Sequence, residues 1–197
     1  MVNIHIVDLG TIYIPQITKL LLRNFSNVRR ITVQPVREPQ IKLIEEADLI
    51  VLSGGIWLLN NNPGLHHRLG DKIASANKPT IGICLGAESL ASYFGATVKK
   101  LDERVTGIFE IDIKSDKLAS CIGDSKPFIF AHHIWTIESV NDHFEILASS
   151  KTGIEVFKIN DRPFYGFQFH PETRKGLNDG AAIFKCISAE ISSTFSF

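Results

Sequence analysis

Pro79-Thr80-Ile81-Gly82-Ile83-Cys84-Leu85-Gly86-Ala87-Glu88-Ser89-Leu90 joins a short β-branched run to a helix-compatible run, with a cysteine at the junction. The pattern predicts a strand over Thr80 to Ile83, a one-residue bend at Cys84 and a helix from Leu85 to Phe94. Glycines two residues to either side of the cysteine remove the side chains that would crowd a sharp elbow. A sulfur held there lies at the carboxyl end of a strand and faces the amino end of a helix. Free N–H groups and the helix dipole are expected to favour its thiolate.

Outward from this stretch, strands and helices alternate. Ile4 to Val7 reads as a buried strand, Pro15 to Phe25 as a helix with Ile17, Leu20, Leu21 and Leu22 on one face, and Arg30 to Val36 as a strand. Ile41 to Ala47 reads as a short helix, Leu49 to Leu52 as an apolar strand and His67 to Ala76 as a helix. Fully apolar strands between helices imply a parallel sheet covered on both faces. Gly95 is placed to end the helix after Cys84 in a left-handed conformation. The second half is richer in strand: Val105 to Ile113, Pro127 to Phe130, Phe144 to Ala148, Ile154 to Lys158 and Phe164 to Phe169. Ser150 to Gly153 is the expected hairpin turn, and Ala181 to Ile191 is the closing helix. The expectation is an α/β chain: a three-layer, flavodoxin-like or Rossmann-like, mostly parallel sheet with helices on both faces and a β-rich second half. Residues 1–197 are read as one domain.

Composition narrows the function. The 197 residues are 44% hydrophobic, as in an ordinary globular protein. Lys plus Arg and Asp plus Glu number 21 each, so no net charge draws the chain to nucleic acid or to a membrane. No apolar stretch is long enough to span a bilayer. The start, Val2 to Asp8, lacks the charged flank and cleavage site of a signal peptide. Three cysteines, Cys84, Cys121 and Cys186, are an odd count without metal-like spacing, which argues against both a disulfide framework and a zinc site. Cys121 and Cys186 are therefore expected to be small core hydrophobes. A reducing, cytoplasmic location follows as the expectation.

Open parallel sheets bind ligands beyond the carboxyl ends of their strands. Three such ends carry reactive or permissive residues: Asp8-Leu9-Gly10, Ser53-Gly54-Gly55 and Cys84. Far downstream, Gly166-Phe167-Gln168-Phe169-His170-Pro171-Glu172 offers an imidazole and a carboxylate two residues apart. An extended chain through Pro171 would project both to the same side. Cysteine, histidine and glutamate form a nucleophile, a base and its orienting group for acyl transfer. Gly54-Gly55 has no Lys-Ser or Lys-Thr after it and is no P-loop. It suits a backbone oxyanion hole, with the Gly55 and Leu85 N–H groups as donors. Of the adjacent His132 and His133, at most one is expected to enter a site. The remaining histidines are expected at the surface.

Together these residues resemble the class I, triad-type glutamine amidotransferases, over roughly Ile4 to Ile187. Asp8-Leu9-Gly10-Thr11 with Tyr13 is similar to the opening of the glutaminase part of GMP synthetases, a purine-biosynthetic branch. The resemblance implies that Cys84 attacks the side-chain amide of glutamine and that His170 and Glu172 assist. Ammonia would then pass to a separate ATP-dependent synthase subunit. It implies no cofactor and no metal, and substrate contacts at Gly54, Glu88, His132 and His133. The family usually has glutamine where Glu88 stands, and proline where Ile56 follows the glycine pair. The alternatives are a stand-alone γ-glutamyl hydrolase or peptidase, and a non-catalytic member of the fold.

Overall fold

The computed structural model describes residues 1–37, 41–123, 126–173, 176 and 178–195. In chain order the elements are β1 (Val2–Leu9), α1 (Ile14–Asn24), β2 (Val28–Pro35), α2 (Ile41–Glu46), β3 (Leu49–Gly55), α3 (Pro63–Ala76), β4 (Thr80–Ile83), α4 (Leu85–Tyr93), β5 (Thr97–Glu110), β6 (Asp112–Ile113), α5 (Asp116–Ile122), β7 (Phe128–Ser139), β8 (Phe144–Ser150), β9 (Gly153–Ile159), β10 (Phe164–Phe167) and α6 (Gly180–Phe195). The main sheet has the order β2-β1-β3-β4-β10-β9-β8-β6. Strands β2, β1, β3, β4 and β10 run parallel, and β9, β8 and β6 follow as antiparallel neighbours. The expected α/β class and its β-rich second half are both present.

Alternation along the central strands builds two cores. Leu49 and Val51 of β3 pack with Ile17, Leu20 and Leu21 of α1 and with Ile183, Phe184 and Ile187 of α6. Ile50 and Leu52 face the other way, towards Leu69 and Ile73 of α3 and Leu90 of α4. A period of two, apolar at every position, is what a strand buried on both faces requires. Local chemistry sets the helix ends. Pro15 and Pro63 stand in the first turns of α1 and α3, where the missing N–H costs nothing. Asn77 ends α3 in the left-handed region at φ 48°, and Gly95 adopts φ +91° just beyond α4. Leu22 lies outside the expected apolar face of α1 and is 55% exposed.

Three expectations are corrected. The downstream strands are longer than the apolar runs suggest, because β5 pairs antiparallel with β7 as a separate ribbon. That pairing extends the strand beginning near Phe128 through His132 and His133 to Ser139. Secondly, α5 breaks the second half. It is too short for a helical period to emerge, but its signals are present: Ser115 accepts a hydrogen bond from the Leu118 N–H, and Gly123 closes the helix at φ +74°. Thirdly, Cys121 and Cys186 are joined by a disulfide, with Cα atoms 6.1 Å apart. Cys121 sits on the exposed side of α5, and Cys186 lies on α6. Cysteine count and spacing carry no information about two helices meeting in space. The free cysteine is Cys84.

The bridge closes a loop with a sequence separation of 65, so it restricts the unfolded chain substantially. Cys121→Ser is expected to lower unfolding free energy by about 2–4 kcal/mol, measured by urea denaturation without reductant. Thiol titration of the denatured, unreduced protein should find a single reactive group. Three reactive thiols would remove the bridge.

Candidate active site

Strand β4 ends where Cys84 adopts φ 49° and ψ −109°, outside the regions that side chains prefer. Such backbone costs on the order of 1–3 kcal/mol and persists only where its surroundings enforce it. Here the enforcement is visible. A Cβ on Gly86 would lie 2.2 Å from the Leu52 carbonyl oxygen of β3, and one on Gly82 would lie 2.7 Å from the Ala87 nitrogen. The glycines let α4 start tight against the sheet. The Cys84 N–H donates to the Phe167 carbonyl at 2.7 Å, continuing the β4–β10 pairing by one rung.

That rung delivers the second half of the site. Three residues beyond Phe167, the His170 N–H donates to the Phe130 carbonyl of β7. The chain then turns instead of extending: the Thr173 N–H and hydroxyl both donate to the His170 carbonyl, with Pro171 inside the turn. The turn folds Glu172 back, and its Oε1 lies 2.8 Å from His170 Nδ1. The same pair was expected from an extended chain; proline's fixed φ serves a turn equally well. With Nδ1 engaged by Glu172, the ring's other nitrogen is left for Cys84, to which the imidazole is electrostatically coupled. The ring of Tyr13 packs edge-on against His170 at 5.6 Å.

The constellation is dry. Cys84 is 8% exposed, His170 5%, Glu172 5% and Glu88 3%. Burial pushes the Cys84 thiol pKa up, and the Glu88 and Glu172 carboxylates add to the rise, while His170 pulls it down. The expected thiolate stabilisation by the helix terminus is therefore outweighed by desolvation. Burial also opposes charge on His170, yet Cys84 and Glu172 together hold its pKa well above the ordinary histidine value. Thiol and ring are thus poised to exchange a proton.

Around this pair, Gly54 forms the roof: a Cβ there would lie 3.2 Å from the His170 ring and 3.5 Å from Cys84 Cβ. Gly55 is pressed on the end of β1, where a Cβ would meet the Leu9 carbonyl oxygen. Ser53 accepts from the Leu9 N–H at 2.9 Å, and Asp8 gathers the N–H groups of Gly10 and Thr11. These contacts fix the loops after β1 and β3 to one another. Leu85 is the first residue of α4, so its N–H lies among those left free at a helix start. His133 points inward and is buried; burial lowers its pKa to about 4. Its Nδ1–H donates to the Trp135 carbonyl, leaving Nε2 as a buried acceptor without a partner among the described residues. His132 is exposed, beside the Thr106 hydroxyl.

Two contributors escaped the sequence reading. Gln168, fully buried, donates from Nε2 to Glu88 Oε1 at 3.0 Å. His66, expected at the surface, is buried: its Nε2–H donates to the Trp57 carbonyl while the Ser89 hydroxyl donates to Nδ1. It ties the Ile56-Trp57 loop to α4. His5 is buried too, against the Thr32 hydroxyl. For Gln168 a signal existed, since strand alternation puts it on the opposite face from Phe167 and Phe169. For His66 there was none.

Residues 6–189 match the family model described as glutamine amidotransferase class-I. The glutamine-hydrolysing GMP synthase subunit of Sulfolobus acidocaldarius is 29% identical over 178 residues, covering 86% of this chain and 90% of that protein. The glutamine-hydrolysing GMP synthase of Ehrlichia ruminantium is 28% identical over 193 residues; the match takes in 90% of this chain and only 35% of that longer protein. A solved Thermoplasma acidophilum structure, assigned as a GMP synthase subunit, matches with a TM-score of 0.83 at 27% identity. That match covers 98% of this chain and 96% of the other. No described helix is long and apolar enough to cross a membrane.

The elbow's dependence on its glycines can be measured. Gly86→Ala should lower stability by about 1–3 kcal/mol through overpacking and change the alkylation rate of Cys84. Gly64→Ala should do neither, because a Cβ there meets only the tip of Arg68 at 3.4 Å. Equal effects of the two substitutions would refute the steric account.

Proposed function

Because this chain belongs to the class I glutamine amidotransferases, enzymes with a cysteine nucleophile, we propose that it hydrolyses the side-chain amide of glutamine through Cys84, His170 and Glu172 and supplies the ammonia to a separate ATP-dependent synthase subunit. Residues 1–197 act as one amidotransferase domain in this reading. The observation that carries it is a buried cysteine on a strained elbow, electrostatically coupled to a His170 ring that Glu172 holds at Nδ1.

The chemistry follows from the partners of each atom. His170 takes the thiol proton, and the sulfur attacks the amide carbon. The N–H groups of Gly55 and Leu85 hold the resulting oxyanion; one such donor is typically worth about 3–4 kcal/mol in the transition state. His170, oriented by Glu172, returns the proton to the amide nitrogen, and ammonia leaves a glutamyl thioester. Water then gives a proton to His170 and attacks the thioester, releasing glutamate and restoring the thiol. Gly54, Glu88 and His133 border the substrate, and His132 lies further out. The unpartnered buried acceptor His133 Nε2 suits a ligand that brings an N–H donor. A synthase partner of the GMP-forming kind is supported by relatives named as GMP synthase subunits. A cytoplasmic site of action fits that reading, and neither a cofactor nor a metal is required by it.

Glutamine hydrolysis by Cys84→Ala should fall at least ~10³-fold, and Glu172→Gln should lower kcat by ~10²–10⁴-fold with a smaller effect on KM. Quenched reactions should yield a Cys84-linked glutamyl adduct by mass spectrometry. Adding the ATP-dependent synthase subunit should raise the rate. Turnover of γ-glutamyl peptides with no response to a synthase would replace this reading with a stand-alone hydrolase. Full activity of Cys84→Ala would end both.

A further inference from the structure

Glu88 is the acidic residue of the first turn of α4, and it lies within electrostatic reach of both Cys84 and His170. It is nearly sealed from solvent, and among the described residues its side-chain donor is the carboxamide of Gln168, through Nε2 at 3.0 Å. Gln168 is itself fully buried, and its Oε1 has no donor among the described residues. A carboxylate at position 88 can only accept, so it leaves that oxygen unsatisfied. A carboxylic acid carries one O–H and can supply the missing donor. Leaving such a buried acceptor unpaired typically costs about 1–3 kcal/mol.

We infer that Glu88 gates the nucleophile: protonated, it forms a neutral pair with Gln168 that leaves Cys84 free to ionise, and once deprotonated its charge opposes the thiolate. Glu88 is thus a positioning and tuning group; the reacting atoms stay with Cys84 and His170. The inference rests on the reading of Cys84 as nucleophile and deepens it.

The surroundings permit this role. Strands β3 and β4, packed under α4, bring no titratable side chain. From α3 comes His66, occupied by Ser89 and Trp57. From β7 comes His133, kept neutral by burial, and the lysines of β5 lie outside at its exposed positions. Behind Gln168 on β9 stands Glu155, bonded by the Ser150 and Thr152 hydroxyls. Glu172 is engaged at His170 Nδ1. Burial raises the Glu88 pKa to about 7, with Gln168 and His170 pulling it down. The sign follows: below neutrality the gate is open, and as pH rises through about 7 the new charge pushes Cys84 ionisation higher still.

The test is the pH dependence of Cys84 alkylation by iodoacetamide. Cys84 is the thiol outside the disulfide, so the rate reports one site without reference to glutamine. Glu88→Gln removes the charge, keeps the volume and supplies an N–H for Gln168. Its alkylation midpoint should fall by about one pH unit, giving several-fold faster labelling above neutrality. A structural role alone would scale the rate equally at every pH. Coincident midpoints overturn the inference. The unsubstituted protein gives a second measurement: its profile should rise more gradually than one ionisation allows, because Glu88 loses its proton first. A profile fitted by one ionisation likewise overturns the gate. A midpoint shift in a protein that hydrolyses no glutamine would remove the proposed function and leave the gate standing.

Discussion

The parallel pairing of β10 with β4 is the contact on which the rest of the molecule depends. Gly82 lies opposite Gly166 and Ile83 opposite Phe167, and the rung from the Cys84 N–H to the Phe167 carbonyl sets the elbow beside the start of the histidine loop. All the chain from β5 to β9 is excursion between those two strands. On its other side, towards β9, β10 needs glycine: a Cβ on Gly166 would run into the Phe157 ring. Had β10 joined the sheet one register away, alternation would turn every side chain of the strand to the opposite face.

The seam also explains why the site is dry. Cores on both faces of the sheet bury the strand ends, so charge at the site is held by neighbours and not by water. That makes each proton expensive to place. Burial raises the thiol while His170 pulls it down, and Cys84 with Glu172 raises the imidazole, so thiol and ring titrate as a coupled pair. Glu172 secures the ring by a turn, and Gln168 secures Glu88 from just beyond the end of β10. Each carboxyl thereby has a fixed partner, and Glu172 keeps one buried oxygen without a partner among the described residues.

Much of the site was legible beforehand because its signals are local. A cysteine between two glycines, after a four-residue apolar strand, reports its own bend. His170 and Glu172 are near enough in sequence to meet by several backbone routes, so the pairing was right although the extended route was not. The Gly54-Gly55 stretch was equally plain; in the fold a Cβ on Gly55 would collide with Leu9, while one on Gly54 would press on His170 and just touch Cys84. His132 and His133 could be split by strand alternation, but which of them turned inward depended on the register with β5.

The sequence by itself determined the elements from β1 to α4, the two-faced burial of the central strands, the elbow and a set of candidate residues for acyl transfer. Those follow from φ/ψ preference, apolar period and side-chain chemistry, which act over a few residues. Only the tertiary structure decided that Cys121 meets Cys186, that His66 is a buried clasp, and that Glu88 faces Gln168 in place of solvent. Those outcomes depend on which distant segments share a surface. Desolvation at the shared surface, which no local pattern encodes, then sets where the protons reside.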